Sequence, residues 1–271
     1  MNIKGHGIIA YDKRELIQLI KEAHLQDTGA DLNHVDVSNI EDFSYVFSNM
    51  HFSSDISKWN TAKAKNMTAM FRHSKWNGDL STWNVSHVEN MDQMFRGSSF
   101  SGNISRWNVS NVTSMAHMFE KSIFMSDISK WNVSRVEDMR NMFDGSVFQG
   151  DVSQWDVRAV RSMAEIFIRS DYCGDLSKWR PQALLLGDDA LTRNSLREMP
   201  QPCFFHWYEC MQSMVGKRVL DPAILIFFQQ QEPIMTALGL TPMQACIAMQ
   251  DQWLARLNPA APVLELPNLD Y

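Results

Sequence analysis

Residues 127–150 read Asp-Ile-Ser-Lys-Trp-Asn-Val-Ser-Arg-Val-Glu-Asp-Met-Arg-Asn-Met-Phe-Asp-Gly-Ser-Val-Phe-Gln-Gly, and variants of this 24-residue unit fill much of the chain. The opening residue falls at Asp31, Asp55, Asp79, Asn103, Asp127, Asp151 and Asp175, without insertion or deletion. The fifth falls at Trp59, Trp83, Trp107, Trp131, Trp155 and Trp179. A fixed period of this length denotes stacked supersecondary units, each needing its neighbours to bury its apolar side.

Within the unit, positions 2, 5 and 7 are apolar (Ile128, Trp131, Val133) and are separated by polar residues, which predicts a short strand with its turn. Serine at position 8 and glutamate at position 11 (Ser38 and Glu41, Ser86 and Glu89, Ser134 and Glu137) have the spacing of a helix capping box. The apolar residues that follow, Val136, Met139, Met142 and Phe143, share one face of a helix beginning at position 9. Glycines near positions 19 and 24 (Gly97, Gly102, Gly145, Gly150) end that helix and return the chain, and Phe52, Phe100, Phe124 and Phe148 close the core from the return loop. The expected fold is therefore α/β: a leucine-rich-repeat-like solenoid of six strand-helix coils over residues 31–180.

The flanks are read differently. Leu16, Ile17, Leu19 and Ile20 among charged residues predict an amphipathic helix, and residues 1–30 are expected to be an N-terminal segment with a capping helix. The first unit is imperfect, with Val35 in place of tryptophan and Phe43 in place of the first methionine. The period breaks at Trp179-Arg180-Pro181. Residues 181–258 are expected to form an α-helical domain or cap, with acid-proline and threonine-proline starts at Asp221-Pro222 and Thr241-Pro242. Residues 259–271 hold three prolines and read as an extended tail.

The sentence Asp-Ile-Ser-x-Trp-Asn-Val-Ser-x-Val-x-x-Met-x-x-Met-Phe resembles the BspA-like family of bacterial leucine-rich-repeat proteins over residues 31–180. The resemblance implies a repeat solenoid and, since members are largely surface proteins tied to adhesion, an adhesin-type role in binding host proteins.

Three columns of the repeat are candidate sites. The tryptophans suit either a recognition ladder or a stacked core. The methionines (Met67, Met91, Met115, Met139, Met163 and Met70, Met94, Met118, Met142) suit a metal or a promiscuous groove, or, beside phenylalanine, a core. Position 4 reads His34, Lys58, Thr82, Arg106, Lys130, Gln154 and Lys178, a basic stripe on an otherwise acidic chain if it faces solvent. His34, Lys58, Arg106, Lys130, Gln154 and Lys178 are the candidate protein-binding residues, facing a partner with an acidic surface. The same pattern also serves solubility and blocks edge pairing. Beyond the repeats, Cys203, His206 and Cys210 would share a helical face, with Cys246 as a possible fourth zinc ligand, or Cys203 and His206 would pair as a thiol site. Neither spacing matches a strong motif, and buried cysteines beside aromatic residues are ordinary core.

Composition narrows the class. A formal net charge of −6 argues against a general nucleic-acid ligand. Four cysteines give no disulfide framework, which points to a reducing compartment. No run approaches the length of a membrane span and no secretory signal is recognised, so the expected location is cytoplasmic, or inside a target cell after delivery by a signal-independent route. The expected function is that of a non-catalytic protein-binding scaffold of bacterial or mobile-element type, which modulates or inhibits a protein partner and needs no cofactor. The alternatives are the adhesin and an effector or enzyme whose activity lies in residues 181–271.

Overall fold

The structure, a computed structural model, describes residues 7–179 except 28, 168, 171, 173, 175 and 177. The expected C-terminal helical domain, its tail and the Cys203, His206, Cys210 and Cys246 set lie outside the described residues.

Helix α1 spans Lys13–Gln26. It begins there because the Asp12 carboxylate accepts the N–H groups of Arg14 and Glu15 at 2.7 and 2.9 Å, satisfying two donors that have no partner within the helix. Glu15 reaches back to accept the Tyr11 N–H at 2.9 Å. Leu16 and Ile20, one turn apart, are buried in the same cluster as Leu32, Val35 and Phe43 of the first coil. Ahead of the helix, β1 (Ile8–Ile9) pairs in parallel with β2 (Val35–Asp36).

From residue 31 the chain forms consecutive 24-residue coils, numbered here from coil 1 at Asp31, that hydrogen-bond to one another. The first half of each coil is two turns. The N–H of position 5 donates to the carbonyl of position 2 (Trp131 to Ile128, 3.1 Å), and that of position 10 donates to position 7 (Val136 to Val133, 2.9 Å). Asp or Asn at positions 1 and 6 accepts the N–H two residues on, as Asp127 does from Ser129 at 2.8 Å and Asn132 from Ser134 at 3.1 Å. A short polar side chain that mimics a backbone turn explains why these positions are Asp or Asn. Outside the first coil no strand forms at positions 2–7 among the described residues. The parallel bridges between coils fall instead at position 12, in the series Asp42, Asn66, Asn90, Ser114, Asp138 and Ser162.

The second half departs furthest from expectation. Positions 9–17 hold no helix: after the bridge at position 12 the chain turns over positions 14–19, and α1 is the only α-helix among the described residues. The cause is backbone geometry. Position 15 has a positive φ in all six coils (Tyr45, Ala69, Gln93, His117, Asn141, Glu165), and so does position 19 (Asn49, His73, Gly97, Lys121, Gly145, Arg169). A left-handed residue ends an α-helix, and two within five residues leave no room for one. The reward is a complete set of hydrogen bonds. Odd positions donate to the next coil, with Met115 to Asp138, His117 to Arg140, Phe119 to Met142 and Lys121 to Asp144 all at 2.7–2.9 Å. Even positions turn back within the coil, with Met118 to Met115, Glu120 to His117 and Ser122 to Phe119 at 3.1–3.2 Å. Glutamate at position 11 does not close a capping box; its carbonyl accepts two N–H groups of the next coil, as Glu41 does from Lys65 and Asn66 at 2.8 and 3.1 Å.

Three aromatic ladders fill the core. Position 17 stacks from Phe47 through Phe71, Phe95, Phe119 and Phe143 to Phe167 at centroid spacings of 5.3–5.8 Å. Position 22 stacks from Phe52 through Trp76, Phe100, Phe124 and Phe148 to Tyr172 at 5.8–6.3 Å. The position 5 tryptophans form the third, with Trp107 and Trp131 6.5 Å apart and nearly coplanar in orientation. Each indole N–H from Trp59 to Trp179 also donates to the position 2 carbonyl of the preceding coil at 2.9–3.2 Å. The tryptophans are therefore core residues whose one polar atom joins neighbouring coils, the arrangement a buried indole requires. The methionine columns are equally buried and pack beside the phenylalanines. Their sulfurs offer no accessible groove.

Candidate protein-binding face

The two Asx turns of each coil fix what the surface presents. Positions 2, 5 and 7 point inward, so positions 1, 4 and 6 are left outside. His34, Lys58, Thr82, Arg106, Lys130, Gln154 and Lys178 are all exposed, one from every coil in sequence. Two of them are tied to the preceding coil: the Lys58 backbone N–H donates to the Asn33 side chain at 2.7 Å, and the Thr82 hydroxyl donates to the Ser57 carbonyl at 2.8 Å.

Sequence reasoning overlooked the column beside them. Asp31, Asp55, Asp79, Asp127 and Asp151 are exposed at position 1, three residues from the stripe. Among the described residues the four cations Lys58, Arg106, Lys130 and Lys178 thus stand next to five carboxylates. Three of these acids, Asp55, Asp79 and Asp127, are held in the charged form. Hydrogen bonds from the Ser57, Ser81 and Ser129 backbone and hydroxyl hold the Asp55, Asp79 and Asp127 carboxyls below the ordinary aspartate range, and Lys58 and Lys130 add a smaller attraction for Asp55 and Asp127. The face is consequently a ribbon of paired columns, one acidic and one mainly basic, rather than a basic stripe alone. The period-24 alignment carried this signal, because the acids that mark each unit are themselves a surface column.

A second charged region lies at positions 15, 18 and 19, on the left-handed turns. Glu120 is buried, with its side chain 4% exposed, and is met by Arg96 at 2.8 Å, His117 at 2.7 Å and Lys121 at 3.4 Å. Asp144, one coil on, is buried and accepts two hydrogen bonds from Arg169. Glu120 is held below the ordinary glutamate range: its burial, the largest influence, acts against this and is outweighed by His117, Arg96 and Lys121. No group of three or more His, Cys, Asp or Glu able to hold a metal gathers among the described residues, and none of their helices is long and apolar enough to cross a membrane.

A family model described as "Mycoplasma protein of unknown function, DUF285" matches residues 15–123 and, a second time, residues 96–185. No curated protein and no solved structure matches the chain. The two matches together cover residues 15–185, more than half of the 271 residues, and the chain belongs to this repeat family.

Proposed function

We propose that the chain is a non-catalytic protein-binding scaffold, a leucine-rich-repeat-like solenoid of the BspA-like kind that docks a protein partner on the ribbon formed by positions 1 and 4. The observation that carries this reading is the exposed series from His34 to Lys178, one side chain per coil on coils that hydrogen-bond to one another. A rigid, regularly spaced array can meet an extended partner by shape while its side chains lose little freedom on binding. The partner would place carboxylates opposite Lys58, Arg106 and Lys130 and donors opposite the aspartate column, so that charge complementarity fixes register.

The test is capture from cell lysates with the full chain, beside a triple variant carrying Lys58→Glu, Arg106→Glu and Lys130→Glu. A protein retained by the parent and lost by the variant, with unchanged unfolding curves, supports this reading. Equal retention by both would move binding off the ribbon.

A further inference from the structure

The last rungs of the three ladders are buried although the described stack ends with them. Trp179 is 0% exposed, Tyr172 1% and Phe167 2%. Their ring neighbours among the described residues belong to the preceding coils or to the end itself. Trp179 meets Trp155 and Phe167, Tyr172 meets Phe148 and Phe167, and Phe167 also meets Phe143. An interior rung such as Phe119 has a ring before it and a ring after it, Phe95 and Phe143. At the opposite end the cover is α1, whose Leu16 and Ile20 join the core of the first coil. A ring face at the end of a stack is buried only when something is seated on it.

We propose that residues 180–198 of this chain are the cover, seated on Phe167, Tyr172 and Trp179 as a seventh coil. Counted from Asp175, Leu184, Ala190, Leu191 and Leu196 fall at positions 10, 16, 17 and 22. Those four positions are buried in each of the six preceding coils. Leu191 then closes the ladder at Phe167, and Leu196 the one at Tyr172. Pro181, where the repeated sentence is interrupted, falls at position 7. In coils 2–6 the position 7 N–H (Thr61, Val85, Val109, Val133, Val157) donates to no backbone carbonyl among the described residues, so a residue without an N–H forfeits no bond there. The family match likewise runs past Pro181, to residue 185. Gly187 at position 13, with Leu185 and Leu186 at 11 and 12, departs from the interior pattern, as terminal units do. The segment also follows directly on Trp179, so seating it closes a shorter loop than any later stretch would. This end face is separate from the ribbon at positions 1 and 4.

The test uses the full chain and the position 23 column. Asn77 and Ser101, which occupy it in coils 2 and 3, are in side-chain contact at 3.2 Å. Residues 24 apart in this column are therefore within disulfide reach. Cys173 and Arg197 stand in the same relation across the proposed join. Arg197→Cys is expected to oxidise under mild conditions to an intramolecular disulfide with Cys173, found by peptide mass mapping, whereas Ser195→Cys, two positions off, is not. Urea unfolding gives a second reading without sulfur chemistry. Phe167→Ala and Leu191→Ala should couple, the double variant losing at least about threefold less in the folding equilibrium constant than the product of the single losses. Phe167→Ala and Leu185→Ala should combine without coupling. A disulfide joining Cys173 of two chains would seat a second copy on the end face, and one to Cys203, Cys210 or Cys246 would seat a later segment; either overturns the proposal. Independent effects of Phe167→Ala and Leu191→Ala overturn it as well.

Discussion

Each tryptophan of the position 5 column does two jobs that can be separated. Trp131 stacks on Trp107 and donates its indole N–H to the Ile104 carbonyl at 3.1 Å. Trp131→Phe keeps an aromatic ring and removes one of the two hydrogen bonds that carbonyl accepts, the other coming from the Trp107 N–H at 3.1 Å, at a cost of about 0.5–1.5 kcal/mol. Trp131→Ala also opens a cavity and should cost about 3–5 kcal/mol. Urea unfolding checks both, and equal losses would mean the indole hydrogen bond contributes nothing. The position 1 aspartates make a second residue-scale case. Asp127 has a folded pKa held down by Ser129, so its contribution to stability is present above the unfolded aspartate value and is lost as pH falls through the lower folded value. Asn103 stands at the same place in coil 4 and accepts the Ser105 N–H at 3.0 Å without a charge. Asp127→Asn should therefore keep the turn and unfold at the same urea concentration near pH 7, within a few tenths of a kcal/mol given its exposure. Asp127→Asn should lose less stability than the parent below about pH 4, where the parent's carboxylate protonates.

At the scale of the element, the period and inward-facing positions were legible, but the element type was not. Val136, Met139, Met142 and Phe143 are all buried, as a helical face would have them. Spacings of three, three and one also arise when successive turns each send one side chain inward, and apolar pattern alone does not separate the two. What decides between them is the positive φ at positions 15 and 19, and only two of the twelve residues there are glycine. Ala69, His117 and Lys121 carry no sequence sign of a left-handed backbone; the stack imposes it through the bonds their N–H groups make to the next coil. An L residue in that region costs about 1 kcal/mol. Lys121→Gly should remove the cost and stabilise the chain by about 0.5–1 kcal/mol, less whatever freedom glycine adds to the unfolded chain. The ion pair of Lys121 with Glu120 is lost with it, but the Lys121 side chain is 56% exposed and Glu120 retains Arg96 and His117. Thermal unfolding reads the sign: a lower midpoint would mean that the Lys121 contact outweighs the backbone strain. Of the candidate site, position 4 exposure was legible from alternation with the buried positions 2 and 5. The Glu120 and Asp144 pairs were not, because their cations come from different coils and from position 15, 18 or 19 without a fixed rule.

At the scale of the whole molecule, stability is a property of the joins between coils. Phe119 sits in the middle of the position 17 ladder, with Phe95 at 5.8 Å on one side and Phe143 at 5.6 Å on the other, and also touches Phe124 and Trp131. Phe47 begins the ladder, with Phe71 at 5.5 Å as its neighbour on one side only. In a stack whose units contact only their neighbours, a join weakened at the centre divides the molecule, whereas the same loss near an end lets that end fray. Phe119→Ala removes about 3–5 kcal/mol of packing from two consecutive joins at once. Fluorine-labelled tryptophan gives a probe on each side, at Trp59 and Trp83 in coils 2 and 3 and at Trp155 in coil 6. In the parent the probes should report one urea transition. In Phe119→Ala the curves should separate, with the two halves unfolding at different concentrations. In Phe47→Ala they should shift together, with Trp59 alone leading. Coincident curves in Phe119→Ala would mean that coupling between coils exceeds the packing of one ladder rung, and that the position 12–19 hydrogen bonds, rather than the aromatic stacks, make the array cooperative.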